Sequence, residues 1–535
     1  MIGRVDAWMG ARSSRQRQGL AVVLGALSAL ALPWFHLVPV LLISIPGLLL
    51  LLGRRRGGPG SVIGGSFADG FWFGFGHYAV GLYWITEPIL FAADRFWWLV
   101  PIAVPILASA LGVYVGLTCV VARLIAPPGW PRALALAGAW VMADLLRGVM
   151  FTGFPWNPIG SAWAIPGPGV LGQIGDVMLQ PLAWVGAPGL TLATLVLAAA
   201  PTFGFRGRTV SALVFAGWIG FGVARLGQPM PPAPGVAVAL LQGNIPEGQK
   251  RDRAFARDAF DRYLRLTRRS VIEARQKYPS EPIVVVWPET ASPYTVDDDP
   301  GVENAIIDAG GSGVTLLVGA VRFNADQRPF NSLIAIAGPR IGDEPPPPLA
   351  IYDKWHLVPF GEYTPDWGKV GIQLIPGDGF KPGPGPRTIT LPGLPPVGPL
   401  ICYEVIFPGH VVDPHARPKW LVNVTNDAWF GNSSGPRQHL AAARMRAVEE
   451  GLPILRAANT GITAAYDARG RELGRIPMNT ADDLIVSLPP ALPPTLFAKF
   501  GLDIPFGLAL LALIASSQPV RLMRRFSKDA KMIDD

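Results

Sequence analysis

The sequence predicts a membrane α-helical bundle of about eight transmembrane helices joined to one extracytoplasmic α/β domain. Three observations carry that prediction. Apolar runs fill residues 19–226 and recur at 500–520. Short arginine groups flank those runs. Between about 235 and 490 the pattern changes to short β-rich runs with helical periodicity between them.

Composition points the same way. Half of the 535 residues are hydrophobic and only 16% are charged, against about 25% in an ordinary soluble chain. Mean hydropathy is +0.33. The net charge is +8, but the basic residues sit beside apolar stretches and form no single basic face. That is a membrane pattern, and it argues against a nucleic-acid patch. The two cysteines, Cys119 and Cys402, lie far apart in unlike segments, so no disulfide framework is expected and Cys402 reads as a free thiol.

A helix crosses a bilayer in about 20 residues. Residues 19–52 read as two helices, because Pro33, Pro39 and Pro46 interrupt the run and a turn falls near Trp34-Phe35-His36. Further spans are expected at about 62–90, 97–122, 131–149, 178–201, 209–226 and 500–520. With eight spans the basic groups all fall on one side: Arg12, Arg15 and Arg17; Arg54, Arg55 and Arg56; Arg123 and Arg132; Arg206 and Arg208; Arg521, Arg524, Arg525 and Lys528. The positive-inside rule makes that side cytoplasmic and leaves 227–499 outside. The expected domains are therefore 1–226, 227–499 and 500–535. A cleavable signal peptide is disfavoured, because small-residue cleavage chemistry is lacking after the first run. Asp69, His77, Asp144 and Arg147 lie in the apolar half. Such groups are functional candidates, but the reading preferred here is helix-end charge within an aromatic belt.

In the polar segment, strands are expected at 236–241, 283–287, 314–321, 332–337, 349–352, 397–402, 420–424, 454–458 and 484–488. Their near-continuous apolar character suits strands buried on both faces. Helical periodicity covers Arg253–Lys277 and 438–450, the second after the start signal Gly435-Pro436. The Pro-rich stretches 344–348 and 381–396 read as loops.

Three residues at strand ends carry the chemistry. Cys402 ends the run Val397-Gly398-Pro399-Leu400-Ile401; a thiol is a strong nucleophile once something takes its proton. Glu289 follows a second run, where partial desolvation raises a carboxyl pKa and suits it to accept that proton. Lys354 follows a third, where a cation can hold a thiolate and then an oxyanion. Each has an ordinary alternative: a buried apolar thiol, a loop-capping glutamate, an ion pair with Asp353. Their coincidence at three strand ends favours the catalytic reading.

Glutamate, lysine and cysteine in this chain order resemble the nitrilase superfamily, which implies an α-β-β-α sandwich. Within it, Leu241-Gln242-Gly243-Asn244-Ile245, Trp287-Pro288-Glu289-Thr290, Tyr352-Asp353-Lys354, 356–363, Cys402-Tyr403-Glu404 and 423–431 resemble the apolipoprotein N-acyltransferase family. The resemblance implies Glu289 as base, Lys354 as charge stabiliser and Cys402 as acylated nucleophile. It further implies that Glu362 orients the lysine and base, that Tyr403 and Glu404 support the cysteine loop, and that Asn331 and Trp429 belong to the supporting or substrate-binding set. Residues 367–380 correspond to an arm over the site. It implies ping-pong acyl transfer from a membrane phospholipid, through a Cys402 thioester, to the α-amine of a diacylated apolipoprotein, with no cofactor, metal or nucleic acid. The implied setting is a multi-pass, monomeric protein of the cell inner membrane, its catalytic domain on the outer side. Neither a zinc-ligand spacing nor a P-loop occurs in the sequence.

Three rivals remain. Gly431-Asn432-Ser433-Ser434-Gly435 matches a serine nucleophile elbow, but only His439 follows it and no acid lies between them, so the required order fails. A membrane-tethered amidase would use the same cysteine with water as acceptor. A transporter or scaffold would leave the Glu–Lys–Cys pattern unexplained.

Overall fold

The computed structural model describes residues 12–53, 59–90, 93–246, 253–337, 348–365 and 379–517. The basic groups at 54–56 and 521–528, residues 344–347 of the Pro-rich loop and most of the 367–380 segment lie outside the described residues. The chain forms two compact units. One holds the described residues up to Ile165, then Val185–Val223 and those from Leu502 on; the other holds Pro166–Trp184 and Ala224–Gly501.

The first unit is helical. Its longer helices are Ser14–Ala29, Leu41–Gly53, Pro59–Gly81, Val100–Ile125, Trp130–Arg147 and Asp503–Ser516, with most of Leu182–Ala198 and Phe205–Leu226. Among the described residues three stretches are long and apolar enough to cross a membrane: Trp97–Ile125, Leu182–Thr202 and Phe205–Leu226. Gly186, at φ 64°, breaks Leu182–Ala198 near its start. Ser14–Ala29 and Pro59–Gly81 touch backbone to backbone: a Cβ on Gly25 would lie 1.9 Å from the Phe73 carbonyl oxygen, and one on Gly76 would lie 2.1 Å from that of Val22. The ionisable groups singled out in the sequence are partnered. Arg17 binds Asp69 at 3.1 Å and the Leu51 carbonyl. His77 Nδ1 meets Ser28 Oγ at 2.8 Å. Arg147 binds Asp144 at 2.8 Å and donates to the carbonyls of Phe154 and Trp156.

Among its described residues the second unit has eleven strands: β1 (Ala237–Gln242), β2 (Ile283–Val286), β3 (Val314–Phe323), β4 (Pro329–Ala337), β5 (Ala350–Asp353), β6 (Val397–Ile401), β7 (Trp420–Thr425), β8 (Ile454–Ala458), β9 (Thr463–Tyr466), β10 (Glu472–Ile476) and β11 (Asp482–Ser487). One sheet runs β11-β1-β2-β3-β4-β5 and the other β10-β9-β8-β7-β6. Strands β1, β2 and β3 pair in parallel, as do β6, β7 and β8. Alternation along β1 explains its unbroken apolar sequence. Ala237, Ala239 and Leu241 pack under helices Arg253–Lys277 and Pro300–Gly310, while Val238 and Leu240 face the second sheet. Each fully buried Val or Leu contributes about 1.5–3 kcal/mol relative to exposure. Helix Gly435–Glu450 covers the far side of the second sheet. The layers are therefore α-β-β-α.

The nine expected strands are all present. Two further strands and the helices Pro300–Gly310 and Leu496–Phe500 were not expected. Strand β9 reads Thr-Ala-Ala-Tyr, too short and small to signal itself, and β10 carries Glu472 and Arg475. Helix Pro300–Gly310 begins at Asp299, whose side chain accepts from the backbone of Gly301 and Val302.

Candidate active site

Three strand ends and one strand start build the site. After β2 the chain turns through Trp287-Pro288-Glu289. Trp287 anchors the turn, stacking on Tyr263 with ring centroids 5.0 Å apart and donating to Thr267 Oγ1 at 2.9 Å. Gly319 on β3 leaves room for it, since a Cβ there would sit 2.0 Å from the Pro288 carbonyl oxygen. After β5 comes Lys354, whose backbone N–H donates to Asn331 O at 2.8 Å. Asp353 does not pair with it; that carboxylate is taken by Arg322 at 2.8 and 2.5 Å and by Ser332 at 2.6 Å. After β6 comes Cys402, the first residue of a short 3₁₀ turn, Cys402–Ile406. Its φ of +51° lies in the left-handed region, which costs a side-chain-bearing residue about 1–2 kcal/mol.

The polar side chains converge. Lys354 Nζ lies 3.2 Å from Glu289 Oε1 and 2.9 Å from Glu362 Oε1. Asn331 Nδ2 donates to the same two oxygens at 2.7 and 3.0 Å. Glu289 Oε2 accepts the Asn426 N–H at 2.7 Å, and Glu362 Oε2 accepts the Val358 N–H at 2.8 Å. Glu404 accepts from the backbone of Ile401, Trp355 and His356 and from the Tyr352 hydroxyl, tying the cysteine turn to the lysine strand. Tyr403 packs edge-on against Phe407, with centroids 5.2 Å apart. Trp429 differs from these residues: it sits on the short turn Asp427–Phe430 and is 42% exposed, outside the buried cluster.

The electrostatics correct one expectation. Burial pushes the Glu289 carboxyl up, as anticipated, but Lys354, Asn331 and the Asn426 N–H outweigh it and hold the group below its ordinary value. Burial depresses Lys354, yet the Glu289 and Glu362 carboxylates keep it well above the usual lysine range. Burial and the Glu289 charge push the Cys402 thiol up, against Lys354 and Thr425. The resting site is thus a carboxylate, an ammonium and a neutral thiol. Burial also raises Glu404, to about 7, against its three backbone donors.

A second polar cluster escaped the sequence reading. Asp427, His439 and Arg456 are buried beside Cys402: His439 Nε2 lies 3.0 Å from the Cys402 carbonyl oxygen and Nδ1 3.0 Å from Asp427 Oδ1. Arg456 binds Asp427 Oδ2 at 2.6 Å. The available signal was Arg456 itself, a cation inside the apolar strand β8, which demands a buried partner. Ser433, the rival nucleophile, donates to the Phe430 carbonyl at 2.6 Å and accepts the Gly435 N–H, the bonding of a turn serine.

The fold and the strand-end carboxylate, ammonium and thiol define a carbon-nitrogen hydrolase domain, and the carbon-nitrogen hydrolase family model matches residues 237–492. The apolipoprotein N-acyltransferase N-terminal domain model matches residues 24–200. The apolipoprotein N-acyltransferase of Rhodopseudomonas palustris is 36% identical over 91% of this chain and 92% of its own length. That of Allorhizobium ampelinum is 39% identical over 87% and 88%, and that of Bradyrhizobium diazoefficiens 36% over 96% of both chains. The chain belongs to the apolipoprotein N-acyltransferase family. Among solved structures it is similar to a carbon-nitrogen hydrolase from Helicobacter pylori G27, at 14% identity and a TM-score of 0.34, over 54% of this chain and 97% of that one.

Proposed function

We propose that this chain moves a fatty acyl group from a membrane phospholipid to the α-amine of the N-terminal diacylglyceryl-cysteine of lipoproteins, through a thioester on Cys402. The observation that carries the chemistry is the Lys354 ammonium held between Glu289 and Glu362 beside Cys402. Glu289 takes the thiol proton as Sγ attacks the ester carbonyl. Lys354 stabilises the oxyanion that forms. Collapse breaks the ester bond, and the departing lysophospholipid alkoxide takes the proton back from Glu289. The lipoprotein amine then attacks the thioester, giving its proton to Glu289, and the amide forms as the thiolate leaves and is reprotonated. Asn331 and Glu362 orient the base and the lysine, Glu404 and Tyr403 hold the cysteine turn, and Trp429 is assigned to the substrate side by its exposure.

Eight membrane spans are part of this reading, drawn from the helices of the first unit and the order of the basic groups. They divide the chain into 1–226, 227–499 and 500–535, with a monomeric multi-pass protein in the inner membrane and the catalytic domain outside the cytoplasm. Water as acceptor is not favoured, because the relatives with matching length are named as acyltransferases. The test supplies a diacylated lipoprotein peptide and phospholipid and looks by mass spectrometry for a triacylated product. Absence of both that product and a Cys402 thioester would sink the proposal.

A further inference from the structure

The reaction above leaves the buried Asp427–His439–Arg456 cluster without a task. Its geometry points at the nucleophile. The Cys402 carbonyl is a pure acceptor, so its 3.0 Å contact is attractive only if His439 Nε2 carries a proton. That holds in both ring states. In the neutral ring Nδ1 accepts from Arg456 Nη2 at 3.2 Å; in the charged ring it donates to Asp427 Oδ1 at 3.0 Å. Asp427 is in turn fixed by Thr425 Oγ1 at 3.0 Å and Arg456 at 2.6 Å, and Arg456 also donates to Asn423. Phe430 packs edge-on against the imidazole at 5.8 Å between centroids.

We propose that His439 is a positioning residue for the nucleophile: its Nε2–H clamps the Cys402 carbonyl, with Asp427 and Arg456 fixing the ring from behind. A left-handed, side-chain-bearing residue persists only where its surroundings dictate it, and the φ of +51° at Cys402 needs such a constraint. Because the peptide is planar and trans, fixing this carbonyl also fixes the direction of the Tyr403 N–H, and it limits the backbone rotation at Cys402 from which the thiol projects. His439 gives up no proton in the reaction; it sets where Sγ stands.

This inference rests on Cys402 being the acylated residue, so wild-type enzyme is the control. The full-length protein in phospholipid micelles is followed by mass spectrometry for the single-turnover appearance of the Cys402 thioester, at varied phospholipid. His439→Leu should slow acylation about 100-fold, the scale of a small misplacement of a reacting atom, with the half-saturating phospholipid concentration unchanged. His439→Gln, whose amide N–H can still reach the carbonyl, should stay within about tenfold of wild type. A His439→Leu enzyme at wild-type rate would overturn the proposal, and so would a folded His439→Gln enzyme slower than that tenfold limit. If His439→Leu fails to fold, the glutamine variant alone decides by the same limit. A wild-type enzyme that forms product without a Cys402 thioester would instead overturn the functional reading, and this proposal with it.

Discussion

Two buried charge clusters flank Cys402, and they are wired differently. In the first, one ammonium, Lys354, serves two carboxylates, Glu289 and Glu362. In the second, Asp427 is the carboxylate that Arg456 binds, with His439 on its other oxygen. Protonating Glu289 leaves Lys354 paired with Glu362, so the first cluster absorbs a proton without stranding a buried charge. Protonating Asp427 would leave Arg456 buried with no counter-ion among the described residues, a state that costs several kcal/mol. The first cluster is built to change charge during a reaction, and the second to keep its charge.

Substitutions sharpen that contrast. The largest effect belongs to the atom between the clusters: Cys402→Ala should abolish the acyl-enzyme, and full activity by product mass spectrometry would refute its assignment. Glu289→Gln should slow acylation by about 10²–10⁴-fold while leaving a titratable thiol, because it removes a general base and no nucleophile. In the second cluster, removing the cation should add a loss of stability to any effect on acylation. Arg456→Leu should cost about 3–5 kcal/mol, seen as a lowered midpoint of denaturation, because it breaks one side of a buried pair.

Acid gives the smallest signal. Burial works against the Asp427 carboxylate, but Arg456 and His439 hold its pKa at about 2, below the ordinary 3.8. A depressed carboxyl stabilises the fold above its unfolded value and loses that contribution as pH falls through the folded one. The stability difference between wild type and Asp427→Asn should therefore be flat above pH 4 and shrink by about 2 kcal/mol as pH falls to about 2. A difference that instead changes between pH 5 and 8 would place the titration on another group.

Much of this was legible in residues. Burial on both sheet faces leaves continuous apolar runs, so β1, β2, β6 and β7 announced themselves, and the three chemical residues stood where such runs stop. Less legible was anything set by partners distant in sequence. The Glu289 carboxyl was expected to rise on burial; it falls because Lys354, 65 residues on, and the Asn426 N–H, 137 residues on, are brought to its two oxygens. Likewise Asp427 lay within the 423–431 motif, and His439 entered only as the histidine that follows the rival serine. Their link to Cys402 exists only once helix Gly435–Glu450 covers the second sheet. The expected span 178–201 shows the same limit: its first residues, up to Trp184, belong to the strand-bearing unit, where Gln180 bonds to the Arg469 carbonyl.

One bond has a wider reach than its length suggests. The Asn426 N–H follows β7 of one sheet, and the Glu289 carboxylate that receives it at 2.7 Å follows β2 of the other. The base is therefore also a rivet through the sandwich. Any change that lets the sheets slide, such as trimming Val286 or Val422 in the layer between them, would loosen that rivet and weaken Glu289 as an acid. Packing defects far from the thiol would then surface as a displaced pH optimum.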